Sequence, residues 1–184
     1  MCNAAWYARQ GVLPVYCASI MAFQEAAVDY KIRKLTEEEY SLLENFLFLA
    51  IFVPDGTPAP PKSIISKPQL QLYIEGFGSS DSDIALVAEV ANRVVGAVWV
   101  RIMNDYGHID DDTPSFAISL YKEYRGMGIG TALMKEMLGI LKAKGYKQAS
   151  LAVQKANYAV KLYKKVRFET VDENEEEYIM LCRL

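Results

Sequence analysis

A single histidine stands among the 184 residues of this chain. That scarcity removes multi-histidine metal sites and leaves Ser-His-Asp or Cys-His catalysis only His108 to work with. Cysteine is sparse too. Cys2, Cys17 and Cys182 are odd in number, far apart and without metal-ligand spacing, so no metal is expected and a reducing, cytoplasmic setting is. No apolar run is long enough to cross a bilayer, so no membrane partner is expected. Charge of one sign is also missing: Lys and Arg total 20 against 23 Asp and Glu, a net charge of -3, which gives no basic field to draw in nucleic acid.

Apolar side chains, in contrast, make up 52% of the chain, ample for one domain with a sizeable core. Residues 1–27 stand apart. Arg9 and the mixed run 11–23 share some features of a secretion signal, but Pro14, Tyr16 and the lack of a lysine-rich start argue against one. They are expected to be an N-terminal extension or the trace of an upstream start, with Met21 as the alternative beginning. The domain proper is expected over 28–184.

The most informative stretch runs Tyr124-Arg125-Gly126-Met127-Gly128-Ile129-Gly130-Thr131. Alternating glycines between an apolar run and a helix-like repeat leave backbone N–H groups free and let a phosphate approach, because no Cβ blocks it. The helix that follows points its positive end at the same place. A Walker loop is excluded, since Gly130 is followed by Thr131-Ala132 rather than Lys-Ser/Thr. A dinucleotide fingerprint fits poorly: the spacing is G-x-G-x-G, and the next strand-like run ends in Gln154 rather than an acid. A glycine-rich turn that only starts a helix is the remaining plain alternative.

Hydrophobic spacing places the other elements. Asp29–Leu35 alternates like a strand, and Thr36-Glu37-Glu38-Glu39 is a capping box ahead of helical spacing at Leu42, Leu43, Phe46, Leu47 and Ala50. Prolines from Pro54 to Pro61 break that helix, and Pro68 opens a short second one over 69–75. Strands are expected over 84–90 and 94–102 about a tight turn at Ala91-Asn92-Arg93, and again over 115–120. A helix over 128–144 points Leu133, Met137, Leu138, Ile140 and Leu141 inward and stops at Gly145. A strand over 149–153, a helix over 158–166 and strands at 168–171 and 177–183 complete the order β-α-α-β-β-β-α-β-α-β-β, an α/β (α+β) fold.

From Tyr30 onward the chain resembles the GNAT superfamily of acyl-coenzyme A-dependent N-acetyltransferases. Two motifs carry the resemblance. Arg125-x-x-Gly128-x-Gly130 is similar to the family's pyrophosphate loop and follows the strand Phe116-Ala117-Ile118-Ser119-Leu120. Ala159-Val160-Lys161-Leu162-Tyr163, continuing to Arg167-Phe168, is similar to the family's Ala-Ile-x-Leu-Tyr-x-x-x-Gly-Phe helix end.

The resemblance implies a mixed, mostly antiparallel central sheet flanked by helices, with acetyl-coenzyme A as co-substrate and a small-molecule or peptide amine as acceptor. Relatives often form dimers. Backbone N–H groups of Gly126, Met127, Gly128, Ile129, Gly130 and Thr131 would hold the pyrophosphate, with Arg125 as a further coenzyme-binding residue and the helix dipole adding ~0.3–2 kcal/mol. Ile118, Ser119 and Leu120 would pair with the pantetheine arm through their backbone. Tyr163 would donate a proton or hydrogen bond to the departing thiolate; helical spacing alone would read it as a core tyrosine. The alternative to an enzyme is a non-catalytic acyl-coenzyme A sensor or another phosphate-binding module.

Two departures stand out. Arg167 occupies the glycine position at the helix end, where a left-handed backbone costs a side chain ~1–2 kcal/mol. Asn157 sits one residue nearer the tyrosine than the usual coenzyme-contacting asparagine, so it either touches the coenzyme or caps the helix. The general base is not evident from the residues: the strand 150–154 carries no acid, and His108, the aspartates around it, Glu75 and a water chain all stay open. Asp110–Asp112 and the proline-rich segment 53–61 are where acceptor loops fall in relatives, and acid there would favour a cationic amine.

Overall fold

A computed structural model describes residues 28–184; the N-terminal extension 1–27 and Met21 lie outside the described residues. Seven strands form one sheet: β1 (Lys31–Lys34), β2 (Ile84–Val90), β3 (Arg93–Arg101), β4 (Ser115–Leu120), β5 (Gln148–Gln154), β6 (Glu169–Glu173) and β7 (Glu177–Arg183), in the spatial order β1-β2-β3-β4-β5-β7-β6. Four helices intervene: α1 (Leu42–Ala50), α2 (Pro68–Gln71), α3 (Ile129–Ala143) and α4 (Ala159–Lys165). The element order is the one expected from the sequence.

Every neighbouring pair is antiparallel except β4–β5, whose only registered rung is Ser115 against Ser150. β4 pairs with β3 along its whole length, while β5 pairs with β7 along its own. Past the Ser115–Ser150 rung the two strands therefore separate, and the facing edges of 117–120 and 152–154 are left without a strand partner. The site is built in this gap.

Each face of the sheet buries its own cluster. On one, α3 presents Ile129, Leu133, Met134, Met137 and Leu141 to Leu86, Val98, Val100, Phe116 and Leu151. Leu138 and Ile140, expected inward, are only half-buried, because the stripe winds through Met134 instead. On the other, Leu43, Phe46 and Leu47 of α1 cover Val87, Ala97 and the fully buried Trp99, whose indole N–H donates to the Tyr73 carbonyl at 3.1 Å. Ser119 donates to the Phe46 carbonyl at 2.6 Å, fixing α1 to β4 beside the gap.

Some boundaries differ from expectation for physical reasons. Thr36 and Glu39 do form a capping box, but it opens a single 3-10 turn at Glu37–Glu39, with α1 starting only at Leu42. The second helix is shorter than 69–75. Past Gln71 the chain tightens into turns, because the Arg101 guanidinium takes the Leu72 and Glu75 carbonyls at 3.0 and 2.9 Å. An extra 3-10 turn, Lys62–Ser66, precedes it after Pro61.

Candidate active site

The loop between β4 and α3 carries the first half of the site. Gly126 and Gly128 have φ of +81° and +83°, the left-handed region that a side chain enters at a cost. Both positions open onto free space, so their amides are approachable. Gly130, the second residue of α3, packs between Leu120 and Leu162. Met127 projects outward at 47% exposure and the Ile129 side chain is buried in the core, and neither residue lines the groove beside the loop.

A groove of about 1000 Å³ follows this loop into the gap, bounded by Ile118, Ser119 and Leu120 on one side, α4 on the other, and residues 49–55 at and beyond the end of α1. Its wall carries Lys122, Arg125, Lys161 and Lys165 against one acid, Asp55. Four cations around bare amides suit a polyphosphate. The N–H of Tyr121 bonds to the Val95 carbonyl, so by strand alternation the backbone of Ser119 also faces β3. The expectation that Ile118, Ser119 and Leu120 all offer backbone to a ligand narrows accordingly. Ile118 and Leu120 face the gap, and the Leu120 carbonyl already accepts the Arg125 Nε at 3.1 Å. Arg125 also lies 5.9 Å from the Tyr158 ring centroid.

Asn157 Oδ1 accepts the Ala159 N–H at 2.9 Å, so this residue caps α4. It lines the groove as well. Tyr163, on the inner face of α4, is 8% exposed and packs near Phe168 with ring centroids 6.2 Å apart. Among the described residues its hydroxyl has no hydrogen-bond partner. Burial, with a smaller contribution from Tyr158, pushes its phenol well above the ordinary tyrosine range, so it stays protonated.

A second cavity of about 410 Å³ shares Ile118, Asn157 and Tyr163 with the groove. Leu47, Phe52, Leu70 and Phe116 line its body, Tyr73 and Tyr106 one end, and Glu176 and Glu177 its acidic wall. Tyr73 donates to Asp105 at 2.7 Å, as does Ser115, leaving the other Asp105 oxygen buried without a partner. Burial and Asp105 raise the Tyr73 phenol strongly.

The other base and acceptor candidates fall elsewhere. Asp110 accepts from Thr113 and Gln148, at the start of β5, the end of that strand opposite the cavity. His108 lies with its Nδ1 3.1 Å from the Met103 carbonyl, and Glu75 is exposed. None of these, nor Asp111 or Asp112, lines either cavity, so the stretch Asp110–Asp112 does not form the acceptor wall, whereas Tyr106 of the same loop lines the second cavity; of the proline-rich segment, Val53, Pro54 and Asp55 line the groove. Sequence reasoning passed over Glu177 because it ends an acidic run, 172–177, that reads as solvated charge; only its register opposite Gln154 brings it to the gap.

Strands that part beside a glycine loop, with a buried tyrosine in the cleft, define an acyl-coenzyme A transferase architecture, and the relatives agree. The chain belongs to the acetyltransferase (GNAT) family, whose model matches residues 47–168. An acetyltransferase of Pectobacterium atrosepticum is 35% identical over 104 residues, 55% of this chain and 69% of that protein. One from Sodalis glossinidius is 36% identical over 104 residues, covering 55% and 68%. Among solved structures, the PaiA N-acetyltransferase of Thermoplasma acidophilum in complex with coenzyme A superposes with a TM-score of 0.63 at 20% identity, covering 85% of this chain and 99% of that one. A GNAT-family acetyltransferase of Streptococcus pneumoniae gives 0.61 at 19%, covering 85% and 100%. This chain is an N-acetyltransferase.

Proposed function

We propose that residues 28–184 form one domain that moves the acetyl group of acetyl-coenzyme A to a primary amine by direct attack in a ternary complex. The observation that carries this is the pair of cavities meeting at Tyr163, one cationic and glycine-lined, the other acid-walled. The first suits a diphosphate with an arm along Ile118 and Leu120. The second suits the amine. Asn157 contributes as a cap that fixes the start of α4, and at the groove wall.

Because burial raises the Tyr163 phenol above a thiol's ordinary pKa of ~8.5, full transfer of its proton to a thiolate is uphill. Its part is a hydrogen bond donated to sulfur as negative charge develops there. Donors aimed at developing charge in this way contribute ~10²–10³ in rate. The setting proposed is the cytoplasm, where the free, buried thiol of Cys182 stays reduced.

Thiol release from acetyl-coenzyme A across a panel of primary amines tests the proposal. Amine-dependent release with intersecting double-reciprocal lines is expected. Binding of acetyl-coenzyme A without release to any amine would return the chain to a coenzyme-binding module.

A further inference from the structure

We propose that Glu177 is the group that receives the acceptor's ammonium and takes its proton, so that the acceptor is a cationic amine with an apolar stem. This rests on the acetyl-transfer reading above and names the substrate class and the base of that same site.

Position comes first. Glu177 opens β7 opposite Gln154, the last residue of β5, where β5 has already left β4. Asn174 fixes the turn before it, its Oδ1 accepting the N–H groups of Glu176 and Glu177 at 2.8 Å each. The half-buried Glu177 thereby lines the cavity that Tyr163 also lines.

Partnership is the second observation. Glu39 and Glu89 bind Arg33, Glu169 meets Arg183, and Glu173 meets Lys155. Among the described residues the Glu177 carboxylate has neither a hydrogen bond nor an ion pair. No lysine, arginine or histidine lines its cavity. A half-buried acid without a cation, in a chamber whose other walls are apolar, phenolic, the amides of Gln154 and Asn157 and a second acid, Glu176, is a place for a cation from outside.

The groups that face Glu177 reinforce this. Burial, then Glu176 and Asp105, raise its carboxyl above the ordinary range, and Tyr73 lies close enough for Glu177 to affect its own titration. From the neighbouring elements, Lys155 is committed to Glu173 at 3.3 Å and stacks on Tyr178, and Lys164 also lies over Tyr178.

A lysine-like amine has a pKa near ~10.4 and arrives as an ammonium. In the step proposed, the Glu177 carboxylate takes one proton and the freed nitrogen attacks the thioester carbonyl carbon. The N–C bond forms as the C–S bond breaks, and the second nitrogen proton ends on sulfur beside the Tyr163 hydroxyl. One ammonium and one thioester yield one amide, one thiol and the proton that Glu177 passes to solvent.

The test compares wild type, E177Q and E177D for thiol release with acetyl-coenzyme A and primary amines of graded basicity, with thermal shift by acetyl-coenzyme A as the check on folding. For a strongly basic amine near neutral pH, E177Q is expected to lose about 10²-fold or more in kcat/KM. Its acetyl-coenzyme A shift stays, the acid limb of its pH profile disappears, and the deficit shrinks as the amine becomes less basic. E177D retains the acid limb at a lower rate. Equal losses across all amines with the limb intact, or an E177Q as active as wild type, overturn the assignment alone. A wild type that releases no thiol overturns it together with the reading beneath it.

Discussion

Ser115 and Ser150 face each other across the one registered rung that joins β4 to β5, and the gap that holds the candidate site opens on the far side of that rung. Both side chains are buried; Ser115 donates to Asp105, and the Ser150 hydroxyl has no partner. The rung pins two otherwise antiparallel half-sheets together at one end, so they can diverge at the other. Divergence exposes the Ile118 and Leu120 backbone, and the cleft it leaves is where Tyr163 sits.

Replacing the Tyr163 hydroxyl tests the cleft directly. Y163F is expected to lower kcat by about 10²-fold, the low end for a positioned proton or hydrogen-bond donor. Affinity for acetyl-coenzyme A should hold, since the groove's cations and glycine amides are untouched. Because that hydroxyl has no protein partner, the thermal midpoint should stay within a degree or two of wild type. An unchanged kcat would return the tyrosine to packing only, and a large loss of stability would reveal a structural hydrogen bond of its hydroxyl.

Arg167 sits at φ +74°, in the left-handed region the sequence assigned to it as a stand-in for glycine. A non-glycine residue there costs ~1–2 kcal/mol, against ~0.5–1 kcal/mol of extra chain entropy that glycine loses on folding. R167G is therefore stabilised by about 0.5–1 kcal/mol, a rise of a few degrees in Tm at this size. Turnover should be unchanged. A lowered Tm in a thermal scan would reveal a contact of Arg167 stronger than its strain.

Arg101 braces the segment that carries Tyr73 to the proposed acceptor cavity. It pairs with Asp83, whose side chain is 1% exposed, and donates to the Leu72 and Glu75 carbonyls that flank Tyr73. R101M strands a buried carboxylate, which costs about 3–5 kcal/mol. It should also raise the KM for the amine more than that for acetyl-coenzyme A, because Tyr73 lines only the second cavity. Urea unfolding and the two KM values measure both effects; equal changes in the two KM values would separate Arg101 from acceptor binding.

Acid stability should report on Glu39. Its hydrogen bonds from Arg33, offset in part by burial, hold its carboxyl down to about 2 from an ordinary 4.5. A depressed native pKa gives stability that is fully present above the unfolded value and lost as pH falls through the native one. The Tm gap between wild type and E39Q should thus be widest above pH ~4.5 and close towards pH ~2. A gap that ignores pH would assign the effect to packing.

Much of this arrangement was written locally. The glycine loop announces itself because its backbone angles admit little else, and Leu162-Tyr163 because a helix face buries it. The element order followed from periodicity alone. The details that failed depend on partners distant in sequence. The second helix stops at Gln71, and Arg101, a strand residue, takes the Leu72 and Glu75 carbonyls just past its end. The acidic loop around Asp110 reads as an acceptor wall, yet Gln148 and Thr113 draw it to the wrong end of β5. Glu177 is one acid in a run of them, and nothing short of the β5–β7 register singles it out.

Acetylation turns a cation into a neutral amide. Under the proposed assignment, a chamber walled by Glu176 and Glu177 would gather its guest by a charge that the reaction itself erases, so the same side chains that concentrate the amine would let the finished amide go.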